Sequence, residues 1–171
     1  MKLFLILLIL LTLSILTYQD FKERAISWLT IPTLIILFSA GAVIESTSFR
    51  DYLMDVGINL TFVAIQMAIL FIYFSLRAGK LTNLINTKIG IGDILFFIAL
   101  TFAFSPVNFI LFYVGSLSII TISFLFMKLL FKNISPEIPL AGAMAALLII
   151  WYFVALLIPD FHPLHDFFPT E

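Results

Sequence analysis

Six runs of uncharged, apolar residues divide this chain, and the connections between them are too short to form a separate soluble domain. The runs cover residues 3–18, 28–44, 56–76, 94–104, 107–127 and 140–158. A helix of about 20 apolar residues crosses a bilayer core that is about 30 Å thick. With 63% hydrophobic and 11% charged residues, the composition lies far from that of soluble domains. We therefore predict an all-α, polytopic membrane protein, a six-transmembrane-helix bundle in which residues 1–171 form one membrane-embedded domain.

The fourth run is too short to cross a bilayer by itself. Residues 94–104 would rise only about 16 Å as a helix. We expect this helix to extend backward through Gly92 and Ile91 so that it approaches the length of a membrane span. Asp93 then lies at the membrane boundary.

The distribution of basic residues predicts the orientation, because Lys and Arg accumulate on the cytoplasmic side of membrane proteins. Lys2 and Arg50 lie on one side of the predicted bundle, and the rest of the nine basic residues lie on the other. The first, third and fifth connections hold Lys22, Arg24, Arg77, Lys80, Lys88, Lys128 and Lys132. We therefore predict a multi-pass protein of the inner or plasma membrane, with these connections in the cytoplasm and both termini outside.

Charge and cysteine content exclude several classes of function. The net charge is -1 and no basic run is present, so we expect the lipid bilayer rather than a nucleic acid as a partner. Without cysteine there is no disulfide, no thiolate zinc site and no thiol nucleophile. His162 and His165 lie in a tail that is predicted on the opposite side from Asp93. We expect neither a metal nor a cofactor.

Two acidic residues carry the chemical argument, Asp20 directly after the first apolar run and Asp93 in the sequence Gly90-Ile91-Gly92-Asp93. Each alone has a simpler explanation, a solvated loop charge for Asp20 and a helix-start acid for Asp93. A carboxylate at the membrane edge is costly unless it is used or paired, and glycine permits close approach to the backbone. Two carboxylates held together share a proton, so that one activates water while the other polarises a carbonyl. The pair therefore predicts aspartic proteolysis.

The two acids lie within motifs that resemble those of the type IV prepilin peptidase family, which includes the short archaeal preflagellin peptidases. In that family an Asp precedes an Arg and an Ile-Pro-Asn run, and a second motif reads G-x-G-D-x-K-L. The matching residues are Asp20, Arg24, Ile26, Gly90, Gly92 and Asp93. The departures are Ser27 and Trp28 for Pro and Asn, and Leu95 and Phe96 for Lys and Leu.

The resemblance covers nearly the whole chain, including a proline-and-glycine start to the last helix at Pro139 and Gly142. We otherwise interpret Ala141, Gly142, Ala145 and Ala146 as small residues for helix packing.

The resemblance implies a membrane aspartic endopeptidase of type IV pilus-like systems, with Asp20 and Asp93 catalytic and Gly90, Gly92 and Arg24 supporting them. Its substrates would be prepilin-like proteins with a basic leader and an apolar helix, cleaved at the cytoplasmic membrane face. Bifunctional members carry a cysteine-bearing insertion that this chain lacks, so methyltransferase activity is not expected. Two alternatives stay open, a catalytically inactive prepilin-binding relative, suggested by Leu95, and a small ion- or proton-coupled transporter that uses Asp93.

Overall fold

The chain folds into α-helices throughout the part that the computed structural model describes, residues 1–44, 48–79, 89–130 and 138–157. The six helices are α1 (Lys2–Glu23), α2 (Thr30–Ile44), α3 (Phe49–Ala78), α4 (Ile91–Leu100), α5 (Pro106–Leu130) and α6 (Leu140–Leu157). These ranges contain no β-strand, and α1, α3, α5 and α6 are long and apolar enough to cross a membrane. The prediction of an all-α protein with several potential membrane spans is confirmed.

The fourth helix begins where the sequence predicted but ends earlier. It extends backward to Ile91, as expected, and it stops at Leu100 rather than at Phe104. Its 10 residues rise about 15 Å, half the thickness of a bilayer core. The expectation that the backward extension brings this helix close to a full span is therefore wrong.

A buried turn replaces the missing part of α4. Residues 101–105 connect α4 to α5, and Thr101 and Phe104 are almost completely inaccessible to solvent. The backbone N–H groups of Thr101, Phe102 and Ala103 donate to carbonyl oxygens in the last turn of α4 at 3.0–3.3 Å. A buried chain reversal needs hydrogen-bond partners from the protein around it. Burial among the other helices allows the chain to reverse here.

The helices pack around a single large hydrophobic cluster to which all six contribute buried side chains. α1 lies against α6 and α2, and α4 contacts α2, α3 and α6. At one end of this arrangement the C-terminus of α1 meets the N-termini of α4 and α6. At the level of the buried turn, Trp151 of α6 packs edge-on against the ring of Phe104.

Hydrogen bonds to α1 and a contact with α4 fix the connection that follows α1. Arg24 caps α1 in the left-handed conformation (φ 51°), which is uncommon for a residue other than glycine, and its N–H donates to the Asp20 carbonyl oxygen at 3.1 Å. The Ser27 N–H donates to Oε1 of Gln19 at 3.1 Å. The side chain of Ile26 then packs against Gly92 of α4. This path brings the end of α1 beside the start of α4.

Candidate functional site

Asp20 is a buried carboxylate in the last turn of α1. The residue is only 7% exposed, although the residues that follow it, from Phe21 to Arg24, face solvent or lipid. The backbone N–H of Gly142, in the first turn of α6, donates to Asp20 Oδ2 at 2.6 Å. The solvated-loop explanation of Asp20 is therefore wrong for this structure, because the carboxylate is turned into the bundle.

Asp93 lies half-buried in the first turn of α4 and approaches the same end of α6. The backbone N–H of Ala141 donates to Asp93 Oδ1 at 2.9 Å. Asp93 also accepts a hydrogen bond from the backbone of Gly90, at the start of its own helix. The carboxylate therefore joins α4 to α6 in the way that Asp20 joins α1 to α6.

The two acids bind consecutive amides of one helix. The first N–H groups of an α-helix have no partner within the helix and form the positive end of its dipole. Backbone nitrogens of consecutive residues are about 3 Å apart, so the amide-bound oxygens of Asp20 and Asp93 lie no more than about 8 Å apart. At this separation the two carboxylates interact electrostatically. The structure thus brings together two acids that are far apart in the sequence.

Three glycines leave the space that this arrangement needs. A Cβ atom on Gly142 would lie 2.9 Å from both Cβ and Oδ2 of Asp20, closer than real Cβ contacts. On Gly92 it would lie 3.0 Å from Cδ1 of Ile26, and on Gly90 it would lie 3.1 Å from Oδ2 of Asp93. Gly142 therefore lets α1 approach α6, Gly92 lets Ile26 approach α4, and Gly90 leaves room for the Asp93 carboxylate.

Arg24, the remaining residue of the predicted site, lies on the surface at the end of α1, after Asp20. It is exposed at the C-cap of α1, and its positive charge acts on the Asp20 carboxylate. It belongs to the connection that carries Ile26 to α4. Its position is compatible with a supporting role through charge and loop geometry.

Two departures from the family motifs lie on the surface of this end. Trp28 is 75% exposed in the connection between α1 and α2, and Leu95 is 38% exposed on α4. Leu95, two positions after Asp93, is apolar and contributes no charge to the site. Lys88, a basic residue near Asp93 in the sequence, lies outside the described residues.

The contribution of the start of α6 was missed by the sequence reasoning. Ala141 and Gly142 were interpreted as small packing residues, and both are buried in contact with other helices. Their backbone N–H groups also hold the two acids, and a backbone donor leaves no mark in the residue types. Pro139 followed by small residues was the available signal, because it marks a helix start that other helices can approach closely.

No group of three or more His, Cys, Asp and Glu side chains within the described ranges could hold a metal ion, while His162 and His165 lie outside those ranges. What the described site offers chemically is a pair of acids in a partly apolar setting, held by amide donors. No protein-family model, no curated protein and no solved structure matches the chain.

Proposed function

We propose that this chain is a multi-pass membrane aspartic endopeptidase with Asp20 and Asp93 as its catalytic residues. The observation that carries the proposal is that both carboxylates bind consecutive N–H groups at the start of α6. Acids from two separate helices meet at one end of an otherwise apolar bundle, and the chain contains no cysteine to serve another protease mechanism. A pair of acids that shares one proton can hydrolyse a peptide bond without a metal.

The hydrogen bonds from the two backbone N–H groups distinguish the two oxygens of each acid. Asp20 Oδ2 and Asp93 Oδ1 are fixed as acceptors, so the shared proton belongs on Asp20 Oδ1 or Asp93 Oδ2. The ionised acid takes a proton from the attacking water, and the protonated acid polarises the scissile carbonyl and then protonates the leaving amine. The hydrogen bonds hold both acids at the start of α6, which supports a pair that is assembled before a substrate binds.

The proposed setting is the cytoplasmic edge of the membrane, with all six helices inside the bilayer. The seven basic residues of the first, third and fifth connections support this orientation. Tyr18 and Trp28 are exposed near Asp20, and such aromatic side chains prefer the membrane interface. The proposed substrates are prepilin-like proteins with a basic leader and an apolar helix, an assignment supported by the motif resemblance around Asp20 and Asp93.

A second candidate is a catalytically inactive relative that binds prepilin-like helices. Leu95 favours it, because an apolar side chain stands where the family carries lysine. The two candidates share a fold and differ in whether a bound substrate is cleaved.

The decisive experiment measures cleavage of a prepilin-like reporter by the purified protein in proteoliposomes. Asp20→Asn and Asp93→Asn should each lower the rate at least about 1,000-fold while leaving an inserted, folded protein, and the double variant should be no less active than the singles. Asp51→Asn is the matched control, because Asp51 is exposed in the first turn of α3. Wild-type cleavage by either single variant refutes the two-aspartate mechanism. If the wild type and Leu95→Lys both fail to cleave, the inactive relative is the better description.

A further inference from the structure

The turn between α4 and α5 is held by polar side chains of α3. Asn59 is 1% exposed, and its Nδ2 donates to the carbonyl oxygens of Thr101 at 3.2 Å and Phe104 at 2.9 Å. The Tyr52 hydroxyl donates to the Phe102 carbonyl oxygen at 3.2 Å. Three carbonyl groups of the turn therefore find their donors on another helix.

These donors satisfy carbonyl groups to which the backbone of the turn does not donate. The N–H groups at the start of the turn close the last turn of α4, and the three carbonyl groups accept from side chains of α3 instead. A buried carbonyl without a donor is unfavourable, and hydrocarbon supplies none. A single Asn59 amide bonds to both Thr101 and Phe104. It therefore fixes the position along the bundle at which the chain turns back.

The turn and the acid pair lie at opposite ends of a short, rigid element. Asp93 is in the first turn of α4, and Thr101 caps the end of the same helix. A helix of 10 residues transmits an axial shift at one end to the other. We propose that Asn59 is a positioning residue that fixes the axial position of α4 within the bundle. It thereby places Asp93 against the first backbone N–H groups of α6.

A disulfide reporter can measure the placement of α4 without any activity assay. A Cβ atom on Gly92 would lie 3.6 Å from Cβ of Ile26, within the range of about 3.5–4.5 Å found in disulfides. The chain has no native cysteine, so Ile26→Cys combined with Gly92→Cys gives a single possible bridge. Its rate of oxidation reports how closely the start of α4 approaches the connection after α1.

Asn59→Leu keeps the number and branching of the side-chain heavy atoms but removes both N–H donors. In the reporter background it should slow oxidation at least about fivefold, because the disulfide tolerates a narrow geometry. Thr61→Val is the control, since Thr61 is exposed on the same helix and its hydroxyl donates to the Gly57 carbonyl oxygen of that helix. It should oxidise at the wild-type rate. Equal rates for Asn59→Leu and Thr61→Val overturn the proposal.

The activity arm rests on the peptidase function proposed above. In the cysteine-free chain, well below its melting temperature, Asn59→Leu should lower kcat about 10-fold to 100-fold with KM near the wild-type value. A lower melting temperature with unchanged kcat and unchanged oxidation would show a merely structural role and would overturn the proposal. If Asn59→Leu does not insert, Asn59→Ser is measured instead, because its hydroxyl is too short to span the turn. A wild type without cleavage refutes the peptidase, whereas the oxidation rates still decide the role of Asn59.

Discussion

Gly142→Ala tests the contact on which the arrangement of the two acids depends. The new methyl group would lie 2.9 Å from Cβ of Asp20 and 3.2 Å from Cδ2 of Phe21. The Asp20 Cβ belongs to the frame of α1, so no side-chain rotation relieves the contact. Normal carbon contacts are about 3.5–4.0 Å, and α1 and α6 would therefore have to separate by about 0.5–1 Å.

Two terms oppose each other in the stability of this variant. Overpacking costs about 1–3 kcal/mol and a weakened bond to a carboxylate up to about 3 kcal/mol, whereas replacing glycine within a helix gains about 1 kcal/mol. We expect a net loss of up to about 5 kcal/mol in the free energy of unfolding. Because Asp20 loses its place beside the Gly142 amide, we also expect kcat to fall about 10-fold to 100-fold.

Gly115→Ala provides the matched control, because a Cβ atom on Gly115 of α5 would meet no heavy atom within 4 Å. Thermal unfolding in detergent and cleavage of the reporter in proteoliposomes are measured for both variants. Gly115→Ala should be as active as the wild type and equally or more stable. If Gly142→Ala matches Gly115→Ala in both measurements, the close approach of α1 to α6 is not what holds Asp20.

Two further predictions concern the start of α4 and the orientation of the bundle. Gly92→Ala should reduce activity less than Gly142→Ala, because its methyl group meets the flexible Cδ1 end of Ile26. Adding Ile26→Val should restore most of the lost activity. A Gly92→Ala variant that Ile26→Val does not improve would contradict the contact. The basic-residue distribution predicts that a cysteine at Thr82 resists an impermeant thiol reagent applied outside and that one at Thr170 reacts. Both positions lie outside the described residues, and the reverse labelling pattern would refute the orientation.

The helical architecture could be predicted from the apolar runs, but the end of α4 could not. Residues 101–104 are small or apolar apart from Thr101, and they continue the run without a helix-breaking residue before Pro106. The helix ends at Leu100, and the carbonyl groups of the turn that follows find their hydrogen-bond donors on Asn59 and Tyr52. Those donors lie more than 40 positions earlier in the chain, where no local pattern connects them to the turn.

The two acids of the candidate site, in contrast, could be identified because their signal is local in the sequence. A carboxylate beside an apolar run is conspicuous in a sequence, and Asp20 and Asp93 both have this property. Their binding to the start of α6 could not be read in the same way, because backbone N–H groups are common to all residues except proline. The need for glycine at Gly142 likewise becomes visible only when α1 lies against α6.

The short helices α2 and α4 also bear on the lipid that surrounds the protein. With 15 and 10 residues, they would span only about 22 Å and 15 Å of a bilayer core that is about 30 Å thick. A membrane adapts to short hydrophobic elements by thinning locally. In the proposed setting, this hydrophobic mismatch thins the bilayer around α2 and α4, while the start of α4 stays at its cytoplasmic edge. Water for hydrolysis would then reach Asp93 directly from that edge of the membrane.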